Sequence, residues 1–357
     1  MVNSRDKYGI DSQKLIYHIP ELYRWINGEI VYPIYIDLGL TSRCNHRCIF
    51  CAFDFLGYEP IDLDINCLKN FIQEAARKGV KSIMFAGEGE PLLHNYIIEA
   101  VNFTKASGID VAITTNGVLL DKFDLEKLLQ PLTWLRVSLD ASTPETYAYL
   151  HNTAPEEFAK VVENIRSVVH VKNKIGLGVT IGVQFLLLPY NYPEVIDAVN
   201  MMKNLEVNYF VVKPYSQHPS SVNKIRCNFD KEIPDLESEL SKYSDEKFEV
   251  ILRKSAIESL KADKPYEECL GLDFITRITA NGDVYPCNNF VGNKEFVFGN
   301  ICAQSFTEIW EGKRRKEVVQ KINQEGYVSK CRKGCRLENI NRFLTALKNP
   351  PPHVNFI

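Results

Sequence analysis

What this sequence has little of narrows the field first. Its 357 residues carry a formal net charge of only −3, so neither sign accumulates enough to draw a nucleic acid or an anionic membrane to the surface. No apolar run approaches the roughly 20 residues that cross a bilayer. The opening stretch, Met1 to Gln13, is polar and lacks the apolar centre of a secretion signal, so the expected location is cytoplasmic. Phosphate-binding glycine loops of recognisable type are missing outside one segment near residue 88.

Cysteine, by contrast, is plentiful. A chain of this size needs no disulfide staples, so ten cysteines point to metal ligation or catalysis. Seven of the ten fall into two groups: Cys44, Cys48 and Cys51, then Cys269, Cys287, Cys331 and Cys335. Cys67, on an expected helix, and Cys302, near a turn, read as packing residues. Cys227 stands alone in a polar loop.

Between residues 34 and 217, short apolar strands alternate with amphipathic helices. Strands are expected at Ile34–Gly39, Ser82–Ala86, Val111–Thr115, Leu135–Leu139, Thr180–Leu187 and Tyr209–Val212, with helices between them whose apolar residues recur at helical spacing. Strand–helix repetition implies parallel strands joined by right-handed crossovers. Six units make a partial (β/α)6 barrel, an α/β fold with its chemistry at the C-terminal strand ends. The expected divisions are an N-terminal extension (1–33), the barrel (34–217), a largely helical connection (218–265) and a small C-terminal domain with its tail (266–357). That domain opens on a hairpin turning at Asn281-Gly282, and a helix is expected near Phe306–Gln320.

Cys44, Cys48 and Cys51 follow the first strand at once. Three thiolates at these spacings wrap one metal centre. A zinc ion would want a fourth ligand, for which His46 is available; a 4Fe–4S cluster with three thiolates keeps one iron open. CxxxCxxC with Phe50 before the last cysteine, at the end of the first strand of a β/α array, resembles the radical S-adenosylmethionine superfamily. Gly87-Glu88-Gly89-Glu90-Pro91, closing the second strand, resembles that family's GGEP segment, with Glu88 where its first glycine often stands. The resemblance implies an open 4Fe–4S cluster at the three cysteines. It also implies S-adenosylmethionine bound near Phe50, Gly89, Glu90, Asn116, Ser138 and Asp140, and a 5′-deoxyadenosyl radical as the agent of catalysis. His151 aligns where relatives often carry an arginine for the cofactor carboxylate. Gln184, Lys213 and Tyr215 are site candidates by position, and Glu88 is a candidate substrate contact.

The order Cys269, hairpin, Cys287, Cys331, Cys335 resembles the SPASM and twitch domains of radical enzymes. Four cysteines suit the twitch form, with one fully ligated auxiliary 4Fe–4S cluster; a zinc ribbon would use the same four residues. A closed cluster can accept an electron, which implies oxidation of a carbinol carbon as in the twitch-bearing aminocyclitol dehydrogenases. Epimerisation would instead need a hydrogen-donating thiol, for which Cys227 is the candidate. Only 33 residues precede the first strand, fewer than the about 80–100 of a leader-peptide domain. The expected substrate is therefore small and polar: a sugar, nucleotide sugar or aminocyclitol, with flavodoxin or ferredoxin as electron donor. Peptide modification and a non-catalytic metal-binding module are the other readings. The apolar tail, Pro351 to Ile357, is expected to pack back on the protein.

Overall fold

The computed structural model describes residues 6–229, 231–324 and 326–356. After a first helix, α1 (Ile19–Ile26), the chain runs β1 (Tyr35–Leu38), α2 (Ile65–Arg77), β2 (Ser82–Phe85), α3 (Ile97–Ala106), β3 (Asp110–Thr115), α4 (Leu125–Leu129), β4 (Leu132–Ser138), α5 (Pro144–His151), α6 (Glu156–Ile175), β5 (Thr180–Leu187), α7 (Val195–Asn204) and β6 (Tyr209–Pro214). The six strands lie side by side in chain order, each pair parallel. The expected α/β fold is the one observed.

Local chemistry sets the boundaries. Asp64 caps α2 by accepting from Asn66 N at 2.9 Å and Cys67 N at 2.8 Å. That helix then turns Leu68, Phe71, Ile72 and Ala75 onto the sheet, all buried at helical spacing. Thr143 caps α5, Pro144 fills its first turn, and Asn152 ends it in the left-handed conformation at φ 49°. Each aliphatic side chain buried this way stabilises the fold by about 1.5–3 kcal/mol.

The sheet does not stop at six strands. The stretch expected as a helical connection holds α8 (Ile233–Leu240), a seventh parallel strand β7 (Glu249–Leu252) beside β6, and α9 (Lys254–Lys261). Asp230, where that helical stretch was expected to begin, lies outside the described residues. The hairpin strands β8 (Ile275–Ile278) and β9 (Asp283–Tyr285) form as expected, but β8 joins the barrel sheet, parallel to β1. With β10 (Gly299–Asn300) the order is β10-β9-β8-β1-β2-β3-β4-β5-β6-β7. The single helix expected near 306–320 is two, α10 (Phe306–Glu311) and α11 (Lys313–Gln324), parted at Gly312. The short α12 (Tyr327–Lys330) and α13 (Glu338–Lys348) complete the chain.

The segment around residues 6–14 closes one end of the barrel. Lys7 N donates to Glu249, the Tyr8 ring lies 5.3 Å from that of Tyr209, and Ile10 packs with Tyr209, Val211 and Ile251. Gly182 leaves the room for Tyr209: a Cβ there would stand 2.0 Å from the ring. Cys67 and Cys302 are bonded to each other, pinning α2 to the turn after β10, so they are not separate packing residues. The expected docking of the tail is not observed either. Val354 and Phe356 are exposed, and among the described residues the tail's hydrogen bond is to itself, Phe356 N to His353 O at 3.0 Å; Ile357 lies outside the described residues.

Candidate active site

At the C-terminal end of β1 the chain enters the loop bearing Cys44, Cys48 and Cys51. Its backbone is fastened to the last turn of α5: Arg47 N donates to His151 O at 3.2 Å and Ile49 N to Leu150 O at 2.9 Å. Those carbonyls lack intrahelical partners, so the helix end and the loop satisfy each other. Gly89 crosses this loop so closely that a Cβ would stand 2.3 Å from Thr41 O and 2.4 Å from Arg43 O. Glu90 N donates to Arg43 O at 2.8 Å, which locks the Gly-Glu-Pro segment to the cysteine loop. Here glycine answers to space rather than to chain direction.

The buried Glu90 carboxylate gathers the end of β3. It accepts from Thr115 Oγ1 at 2.6 Å, Asn116 N at 2.8 Å and Leu92 N at 3.1 Å. Asn116 in turn donates to Asn45 Oδ1 at 2.8 Å, tying β3 to the cysteine loop. Asp140, at φ 60°, accepts from Leu186 N at 2.6 Å and bridges β4 to β5; burial pushes its carboxyl up to about 7. Ser138 sits opposite Gln184 in the register, both half-buried, and Lys213 follows one strand further on, opposite Leu186.

His151 is buried, with Nε2 3.0 Å from Leu139 O and Nδ1 3.3 Å from Cys48 Sγ. Burial, then the neighbouring His46, hold its ring neutral, down to about 3, so it supplies no fixed cation where relatives are expected to have arginine. His46 faces Glu157 at 2.7 Å, and His46, Cys48 and His151 together form a group of metal-ligating type. Phe50 meets the edge of His151 at 5.4 Å and packs against the cluster of Leu150, Leu186, Leu188 and Tyr215, on which Ile225 and Cys227 also pack. The structure thus brings Cys227 into the same apolar patch as Phe50. Burial pushes its thiol up to about 11, so it stays protonated at neutral pH.

Glu88, the candidate substrate contact, follows β2 in the segment Gly87 to Pro91. It is buried and paired with Arg277, and its other oxygen accepts from Ala280 N at 2.7 Å. Arg277 also holds Asp37 at 2.8 Å, and Asp37 reaches Arg336 at 2.9 Å. Gly39 and Gly87 make room for this chain: a Cβ on Gly87 would come 2.4 Å from Arg277 Nη2. The clue in the sequence was an arginine in the middle of the apolar strand Ile275–Ile278. Tyr58, which bonds the Cys51 thiol, and Asn45 carried no comparable clue.

The second group of cysteines comes together completely. Cys269, Cys287, Cys331 and Cys335 line one pocket with Tyr266 and Phe290 among its walls. Amides already point at the sulfurs: Asn289 Nδ2 lies 2.7 Å from Cys331 Sγ, Asn341 Nδ2 3.3 Å from Cys269 Sγ, and Leu337 N 3.4 Å from Cys335 Sγ. Burial pushes the Cys44 and Cys287 thiols up to about 12, whereas the hydrogen bond with Cys331 draws the Cys335 thiol down to about 6. Both groups fit iron–sulfur ligation: soft donors, apolar walls and amides aimed at sulfur.

Sequence comparison agrees with this geometry. The radical SAM superfamily model matches residues 38–202, and the iron–sulfur cluster-binding domain model called SPASM matches residues 269–336. The chain belongs to the radical SAM superfamily. It is 26% identical over 302 residues to a tungsten-containing aldehyde ferredoxin oxidoreductase cofactor-modifying protein of Pyrococcus furiosus, covering 78% of this chain and 81% of that one. A probable GTP 3′,8-cyclase of Methanothermobacter thermautotrophicus is 27% identical over 297 residues, covering 79% and 94%. Among solved structures, Streptococcus suis SuiB bound to S-adenosylmethionine superposes with a TM-score of 0.64 at 17% identity, over 87% of this chain and 72% of that one. This radical SAM enzyme therefore shares its fold with SuiB. Among the described residues, no helix is long and apolar enough to cross a membrane.

Proposed function

We propose that this radical SAM enzyme abstracts hydrogen from a small polar substrate and oxidises a carbinol of a sugar, nucleotide sugar or aminocyclitol, passing the second electron to an auxiliary cluster. The observation that carries this reading is the set of four thiols on one largely apolar pocket. Four protein ligands complete a 4Fe–4S cluster and leave no iron for substrate, which suits electron transfer. Bound to Cys44, Cys48 and Cys51, an open cluster with S-adenosylmethionine would supply a 5′-deoxyadenosyl radical. The protein's own part is positional. Glu90 and Asn116 set the loop over the strand ends, Phe50 and its apolar neighbours wall it from water, Ser138 faces S-adenosylmethionine, and Gln184 and Lys213 stand on the neighbouring strands as polar contacts for substrate. Flavodoxin or ferredoxin in the cytoplasm would deliver the starting electron.

A second reading has its own observation. Cys227 lies in the apolar patch with Phe50 and keeps its S–H, the form needed to return a hydrogen atom, which would make the enzyme an epimerase. The names of the relatives add cyclisation and cofactor modification as reaction types that a similar chain performs.

Anaerobically reconstituted protein given a strong reductant tests the proposal. It should form 5′-deoxyadenosine and hold about eight irons per chain. No cleavage would sink the enzyme reading, and about four irons would sink the auxiliary cluster. With candidate sugars in deuterated water, a carbonyl product supports oxidation. Deuterium at an inverted carbon, lost in Cys227→Ala, supports epimerisation.

A further inference from the structure

The charges that face the barrel interior are not balanced. Lys213 on β6 makes no hydrogen bond or ion pair to a protein group among the described residues. Its charged neighbours are Arg253, Arg332, Arg336 and Arg136. Arg136 lies over the Trp134 ring at 5.1 Å and reaches the Thr114 hydroxyl at 3.3 Å and the Tyr209 phenol, and among the described residues its buried Nε has no hydrogen-bond partner. Arg253 has Asp11 at 3.7 Å, while its Nε is likewise buried without a hydrogen bond. Arg332 is held by Ser216 and answers the thiolates of the cysteine cavity. Arg336 pairs with Asp37, which Arg277 shares with Glu88.

The acids in reach do not cancel this. Asp37, Glu88 and Asp11 are already engaged, and Asp140, the carboxyl whose charge Lys213 feels, lies beyond ion-pair distance and is held toward its neutral form by burial. Burial, followed by the four arginines, pushes the Lys213 ammonium well below its ordinary value. Clustered, desolvated cations without counter-charge are costly to keep. There is also room beside them. Arg253 and Arg336, though not Lys213 itself, line a polar, partly open pocket with Lys14, Ser255 and Asn339 that reaches Cys335.

We propose that the substrate carries an oxyanion group, phosphate or carboxylate, that Lys213, Arg253 and Arg336 hold inside the barrel beside the auxiliary cysteines. This rests on the reading that the substrate enters the barrel as a radical SAM substrate. The anion replaces the missing counter-charge and fixes the substrate by one end, leaving its other end toward the Cys44–Cys51 loop. Arginine forks suit either oxyanion, and a lysine adds a point charge between them.

Isothermal titration of the anaerobic holoenzyme with inorganic pyrophosphate, and separately with succinate, tests this. At least one probe should bind, more weakly at high salt, and the tighter of the two names the group. Lys213→Met and Arg253→Gln should each weaken that binding at least tenfold, and Lys213→Arg should restore most of it. Iron content and melting temperature establish that each variant is folded. No binding of either probe to the wild type, or equal binding in both neutral variants, overturns the proposal. Formation of 5′-deoxyadenosine by the same wild-type preparation keeps the two readings apart. Cleavage without anion binding removes this proposal alone, whereas anion binding without cleavage removes the radical reading.

Discussion

Replacing Arg277 by methionine should destabilise the protein more than any change at the exposed ion pairs. The guanidinium is 1% exposed and sits between Asp37 at 5% and Glu88 at 4%, so neither carboxylate can turn to water when it is removed. Breaking a buried pair from one side costs about 3–5 kcal/mol, chiefly because the remaining charge stays behind. Burial alone would push the Asp37 carboxyl up, but Arg277 and Arg336 together hold it below its ordinary 3.8. Its contribution is thus present above that value and lost as the pH falls through the lowered one. In Arg277→Met the carboxylate keeps Arg336 and the Asn288 amide, and the acid limb of stability should move to higher pH. Adding Glu88→Gln removes the stranded charge and should restore about 1–2 kcal/mol, so the two changes are not additive. Urea denaturation of the anaerobic holoprotein, across a pH series, measures all three quantities. An Arg277→Met variant within about 0.5 kcal/mol of wild type, or a double variant that loses the sum of the single losses, would refute the reasoning.

Gly89→Ala should lower iron content at the first centre and cost upwards of about 2 kcal/mol, since its Cβ would meet two backbone carbonyls that cannot rotate aside; full iron loading would show that the loop has slack. Asp140→Asn should match or exceed wild-type stability at about pH 8 and fall behind it at about pH 4. A carboxyl raised to about 7 gives its stability below the ordinary aspartate range and loses it as pH rises to 7, whereas an amide does not titrate; equal pH profiles would contradict this. Reduction of the Cys67–Cys302 bond, or Cys67→Ser, should lower the unfolding free energy by up to about 5 kcal/mol on the chain-entropy model, given the 235-residue separation. Both cysteines labelling with a thiol reagent in the untreated native protein would disprove the bond.

Much of this architecture was legible because periodicity reports burial directly. Thr180–Leu187 is an apolar run, and α6 repeats Val161, Ile165 and Val168 on one face, so both elements show in the chain itself. The strand β7 did not, because its four residues, Glu249–Leu252, are too few to establish a period among charged flanks. Spacing located Cys44, Cys48 and Cys51, which share one loop, whereas Cys269, Cys287, Cys331 and Cys335, scattered along the C-terminal part, were grouped by their resemblance to SPASM and twitch domains. The pairing of Cys67 with Cys302 and the commitment of Glu88 to Arg277 are contacts between distant segments, which no local pattern encodes. Glu88 illustrates the difference: read beside its neighbours it is a spare acid near a cavity, and only the fold shows its counter-ion.

The parallel pairing of β8 with β1 has a consequence for how the chain is made. The edge of β1 facing β8 has its backbone amides and carbonyls paired only when residues 275–278 exist. Until then a core strand presents an open edge, at translation rates of roughly 5–20 residues per second, for tens of seconds. Open edges recruit strands from other chains. The cysteine-rich C-terminal part is therefore also the cover for the barrel's exposed seam. A fragment ending before residue 275 would keep the three cysteines that define the superfamily while losing the strand that keeps them soluble.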